Sequence, residues 1–162
     1  AAHETRAASL RSILETSDDE VLKVVDSKLA RLKATERQIK RLGGELAEET
    51  ARRLASSEGA IVEAHFDGVD AGFLQSIARQ MTVLRTSRAC LLTATTDSSS
   101  FFVLYRGTGC DLDLETIGAE LATLLDGRGG GSAELFQGKA GSLARRPEAV
   151  SLLEDAIGRG SR

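Results

Sequence analysis

The sequence predicts an α/β (α+β) fold preceded by a helical arm. Up to about residue 57 apolar side chains recur at heptad spacing. From Gly59 onward, short alternating segments rich in Val, Ile, Thr and Phe are interleaved with segments of helical period. The division expected is a helical arm over 1–57 and an α/β domain over 58–162.

Residues 1–15 are rich in helix formers, with Leu10, Ile13 and Leu14 at one end. Ser17 stands three residues before Glu20, a capping-box spacing, and Asp18 and Asp19 suit the positive start of a helix. A helix over 20–56 follows. Leu22, Val25, Leu29, Leu32, Ile39 and Leu46 hold its a and d positions, and Glu36 and Gly43 interrupt two a positions. Gly43-Gly44 marks a bend or weak point. A stripe this narrow needs a partner helix, either the first segment folded back or a second subunit.

In the second part, IVEAHF (61–66) alternates as a strand and Asp70 caps a helix carrying Phe73, Leu74, Ile77, Met81 and Leu84. ACLLTATT (89–96) and SFFVLYRG (100–107) form a hairpin across Asp97-Ser-Ser. Asp113 caps a helix with Leu114, Ile117, Leu121, Leu124 and Leu125 inward, stopped by Gly127. A short strand is expected near Glu134–Gln137. Pro147 then opens a last helix, with Val150, Leu153 and Ile157, ended by Gly158. The expected order is an arm followed by β-α-β-β-α-β-α.

Composition narrows the function classes. The 162 residues carry a formal charge of −3, so nothing in the whole chain demands a polyanion, although a local basic patch could still bind one. No run of some 18 apolar residues marks a membrane span, and no signal peptide is visible. Cys90 and Cys110 form no CxxC and suit a reduced, cytoplasmic setting. His3 and His65 stand alone, no cluster has metal-ligand spacing, and no nucleophile elbow occurs. The chain opens on Ala1 inside helical sequence, as expected of a piece of a longer protein.

One stretch stands apart: LLDGRGGGSAELFQGKAG, residues 124–141. It is not a Walker A loop, because six residues separate Gly131 from Gly138 and Ala140 follows Lys139. Nor is it a GxGxxG following a strand. From 128 to 146, Arg128, Lys139, Arg145 and Arg146 stand against Glu134 alone, a local +3. Two readings fit. In one, glycine amides and these cations cradle phosphate, with Gln137 and Phe136 adding a polar contact and a stacking face. In the other, the glycines make a tight turn beneath solvated charges.

DGRGGGSAELFQGKAG, followed by SLARRPEAVSLLEDAIG, resembles the end of the DHHA1-type domain of freestanding alanyl-tRNA editing proteins, a domain type that also closes alanyl-tRNA synthetase. The arm AAHETRAASLRSILETSDDEVLKVVDSKLARLKATERQIKRL and the pair LLTATTDSSSFFVLYRG fit the same resemblance, which covers nearly the whole chain. It implies a parent protein that hydrolyses mischarged tRNA(Ala), typically the seryl form, through a zinc-bearing domain with HxxxH and CxxxH motifs. Neither motif occurs here, so zinc and the catalytic residues are expected outside this chain, with no cofactor of its own. It implies tRNA as partner, contacted through Arg128, Gly129, Gly130, Gly131, Ser132, Gln137, Lys139, Arg145 and Arg146, and a homodimer formed through the arm. One departure matters: relatives often follow the three glycines with histidine, lysine or arginine, where this chain has Ser132 and Ala133. Two alternatives are a DHHA1 substrate-binding domain of a DHH phosphoesterase, whose DHH motif is absent from the chain, and a purely structural dimerisation module.

Overall fold

The computed structural model describes residues 2–14 and 20–160. It divides into two compact units, Ala1–Gly43 and Gly44–Arg162. Helix α1 (Ala2–Leu14) and the first part of α2 (Val21–Ala55) form the first. The expected capping residues Ser17, Asp18 and Asp19 lie outside the described residues. Helix α2 continues through Gly43 and Gly44, the expected weak point, and a side chain at either would meet nothing within 4 Å. Leu22, Leu29, Leu32 and Ile39 of its heptad stripe remain exposed.

The second unit begins earlier than residue 58, because the last turns of α2 carry core residues. Ala47, Thr50, Ala51 and Leu54 are buried at helical spacing. The three apolar ones pack with Leu74, Ile77 and Met81 of α3 (Ala71–Val83), whose start is capped by the Asp70 carboxylate accepting from the Phe73 amide at 3.1 Å.

Between these helices and a second pair lies a five-stranded sheet. Its strands are β1 (Ile61–Asp67), β2 (Ala89–Thr95), β3 (Ser100–Tyr105), β4 (Arg128–Gly131) and β5 (Leu135–Ala140), in the order β1-β2-β3-β5-β4. Only β1 and β2 run parallel, the crossover being α3. The β2–β3 hairpin closes as expected, with the Thr96 amide donating to the Ser99 carbonyl at 2.8 Å. Strand β2 is buried on both faces and reads as a continuous apolar run for that reason.

The strand alternation sorts the core into two layers. Cys90, Leu92, Ala94, Val103 and Tyr105 face α2 and α3. Ala89, Leu91, Phe102, Leu104 and Phe136 face α4 (Leu114–Leu124) and α5 (Arg146–Gly160). Each fully buried large apolar side chain contributes roughly 1.5–3 kcal/mol. Burial also pushes the Cys90 thiol up to about 12, as suits a cysteine packed as a small core residue. Helix α5 runs through Gly158 rather than stopping there.

Candidate nucleic-acid interface

The residues after α4 depart most from the sequence reading. Helix α4 starts at Asp113, whose carboxylate accepts from the Glu115 amide at 3.2 Å and from the Thr116 hydroxyl at 2.5 Å. The Thr116 bond is the main cause of the lowered Asp113 pKa. The helix ends in a left-handed residue, but that residue is Asp126 (φ 51°) and not the expected Gly127. The Asp126 amide donates to Thr123 and the Gly127 amide to Ala122, a Schellman pattern. Gly127 is needed for a different reason: a Cβ there would lie 2.1 Å from the Lys139 carbonyl oxygen.

Arg128-Gly-Gly-Gly131 then forms a strand. Neither the turn nor the amide cradle expected of these glycines is present, because a nest of successive amides needs alternating-handed dihedrals and Gly127–Gly131 hold no positive φ. Strand β4 is instead a sheet edge, antiparallel to β5, with Arg128 opposite Lys139, Gly129 opposite Gly138, Gly130 opposite Gln137 and Gly131 opposite Phe136. Small size is what the positions require. A Cβ would lie 1.9 Å from the Leu135 oxygen at Gly131 and 2.5 Å from the Gln137 oxygen at Gly129, whereas at Gly130 it would meet nothing within 4 Å.

Register fixes which amides are free. The Ser132 amide donates to the Leu135 carbonyl at 2.8 Å, so this closing pair and every second pair after it are the hydrogen-bonded ones. The amides and carbonyls of Gly129 and Gly131 therefore point out of the open edge. Side chains sort in the same way. Leu135 packs toward the α3 face and Phe136 toward α4, so Gln137 and Lys139 share the α3 face.

The predicted cations separate into two kinds. Arg128 and Lys139 are exposed neighbours, and neither is in an ion pair among the described residues. Arg145 pairs with Glu148 through Nε at 2.7 Å and Nη2 at 2.5 Å, and that bond is the first cause raising its pKa. Arg146 pairs with Glu63 of β1, the strand at the opposite edge of the sheet from β4. The structure thus brings Arg128, Lys139, Gln137 and the glycines together and directs the charges of Arg145 and Arg146 elsewhere. Gln137 Oε1 is shielded from solvent without a hydrogen-bond partner. Ser132 serves the hairpin, its Oγ accepting from the Glu134 amide at 3.4 Å. Phe136, expected as a stacking face or a core residue, is core, its ring stacked on Phe102 at 6.2 Å between centroids.

On the α4 side, a groove of about 800 Å³ runs between that helix and the glycine strand. Arg106 and Arg128 line it against Asp113 and Glu115, so its charge is mixed. Sequence reasoning missed Arg106, whose only mark is its place after an apolar strand.

Known proteins resemble this chain in sequence and in fold. Alanyl-tRNA editing protein Aarsd1 of Mus musculus is 30% identical over 151 residues, 92% of this chain and 36% of the mouse protein. Alanine–tRNA ligase of Francisella tularensis subsp. holarctica is 26% identical over 160 residues, 96% of this chain and 18% of the ligase. The C-Ala domain of Aquifex aeolicus alanyl-tRNA synthetase superposes with a TM-score of 0.54 at 25% identity, over 60% of this chain and 89% of that domain. This chain is a DHHA1-like homologue of alanyl-tRNA editing proteins and alanyl-tRNA synthetases. It spans about a third of the curated editing protein's length. RecJ of Thermus thermophilus, in complex with Mn2+, has a TM-score of 0.54 at 21% identity over 94% of this chain and 23% of RecJ, which shows likeness of fold alone. No protein-family model matches the chain. Among the described residues no helix is long and apolar enough to cross a membrane.

Proposed function

We propose that this chain is the tRNA-contacting and association part of a cytoplasmic protein that removes a wrong amino acid from tRNA(Ala). The observation that carries the contact is the Arg128–Lys139 pair: two exposed, unpaired cations side by side at a sheet edge whose outward amides belong to glycines. Phosphate oxygens can approach such a bare backbone, accept from the Gly129 and Gly131 amides and bridge the two cations. Ser132 lies at the end of the same edge. Arg145 and Arg146 flank the surface as neutralised pairs and contribute less. The homology to alanyl-tRNA editing proteins and synthetases supports tRNA as the polyanion.

Hydrolysis by the parent protein calls for zinc. Among the described residues no three His, Cys, Asp or Glu side chains are grouped to hold a metal ion. The exposed leucine stripe of α2 supports association of two arms.

The test is an anisotropy titration with tRNA(Ala) transcript at about 50 and 200 mM salt, on the wild-type chain and on R128E/K139E. The wild type should bind more weakly at the higher salt, because each phosphate neutralised releases condensed counterions. The double variant should lose tenfold or more at low salt with an unchanged fold. Equal affinities would leave β4 a plain structural edge.

A further inference from the structure

The largest concentration of positive charge in this chain is not at the glycine strand. Between Val21 and Gly43 seven Lys and Arg stand against Asp26 and Glu36 only, a local +5 in a chain whose net charge is −3. All of this charge lies on α2. Lys33, Arg37 and Lys40 follow one another at i, i+4 and i+7, which stacks them on one helix face within about 10 Å of axis. Lys23 extends that face toward the N-terminus, over on the order of 25 Å in all, and Asp26 is the carboxylate that falls within it. The four cations are exposed, and none is in an ion pair among the described residues. Lys33 and Arg37, like charges at i, i+4, repel each other, and Glu36 stands three residues after Lys33 and four before Lys40.

We infer that this face of α2 is a second RNA-binding surface, a basic ridge that lies along a phosphate backbone. The inference rests on tRNA being the partner of the chain, and it moves part of the binding to the arm. Two observations separate the ridge from other uses. The ridge is turned about 95° on average from the Leu22–Leu29–Leu32–Ile39 stripe, at about 100° per residue, so most of it stays open when that stripe is covered by another helix. An anionic membrane would instead have to bury the stripe, and Glu36 lies within it between Leu29 and Ile39. Phosphate recognition by such a ridge follows charge spacing and is independent of base sequence.

The test compares K33E/R37E/K40E, the neutral K33Q/R37Q/K40Q and R128E/K139E with wild type, using tRNA(Ala) transcript at several salt concentrations and vesicles of phosphatidylserine and phosphatidylcholine. Far-ultraviolet dichroism checks that α2 stays helical, and the neutral variant preserves the test if charge reversal disturbs it. The ridge variants should lose tenfold or more in tRNA affinity at low salt, the reversal more than the neutral change. The slope of log affinity against log salt should fall by roughly two to three, about one for each phosphate no longer neutralised. Wild-type affinity in both ridge variants, with weakened binding in R128E/K139E, would overturn the ridge and leave the tRNA reading intact. Weakened binding in the ridge variants alone would support the ridge and remove the role of β4. Vesicle binding that depends on the ridge, with tRNA binding indifferent to it, would overturn the inference in favour of a membrane surface.

Discussion

Arg128 stands directly opposite Lys139 across the β4–β5 ladder, two like charges where a sheet ordinarily places an opposite pair. Such a pairing opposes folding slightly, so single charge reversal at this spot should separate stability from binding. Arg128→Glu should hold or raise the melting temperature, an opposite-charge cross-strand pair contributing roughly 0.2–1 kcal/mol, while tRNA affinity falls severalfold. Thermal denaturation and anisotropy on the same preparation check both halves. A fall in both would mean that Arg128 is structural.

The three glycines of β4 should respond unequally. Gly131→Ala drives a Cβ to 1.9 Å from the Leu135 oxygen and should cost about 1–3 kcal/mol, the range of overpacking. Gly130→Ala meets nothing within 4 Å and should stay within roughly 0.5 kcal/mol of wild type. Urea denaturation of the two variants tests this difference.

Thiol chemistry should distinguish the two cysteines. Burial holds Cys90 protonated up to about pH 12, whereas Cys110 is partly exposed and donates to the Ser87 carbonyl at 3.1 Å. At pH 8 an alkylating reagent should modify Cys110 first and reach Cys90 only on unfolding. Mass spectrometry of the peptides resolves the order, and early labelling of Cys90 would contradict the buried sheet centre.

Leu29→Asp tests the arm. Leu29 is 49% exposed, so the change removes little packing within the chain. If the stripe joins two arms, light scattering should show the variant shifted toward monomer, with the melting temperature of the α/β unit unchanged. A monomeric wild type would refute association through α2.

Periodicity and caps are enough to place both long α-helical segments, the strands at 61, 89 and 100 and the helices behind Asp70 and Asp113. Each of these is specified by neighbours in sequence: an N-cap carboxylate, an alternating run, an apolar face at 3.6 residues. Strand β4 is illegible because Arg-Gly-Gly-Gly has no side-chain pattern from which a period could be read. It is a strand because it pairs with β5, whose backbone and Phe136 ring leave no room for a Cβ at Gly129 and Gly131. The start of the second unit at Gly44 is hidden likewise, since Ala47 and Ala51 are small enough to pass as exposed helix until α3 and the sheet cover them. The local +3 can be counted in the sequence itself. Only the tertiary structure decided that Arg145 and Arg146 spend their charge on Glu148 and Glu63 while Arg128 and Lys139 keep theirs. Composition fixes how many charges a segment carries, but an ion pair needs two side chains within about 4 Å, and for Glu63 and Arg146, far apart in sequence, that distance is set by the packing of α5 on the sheet.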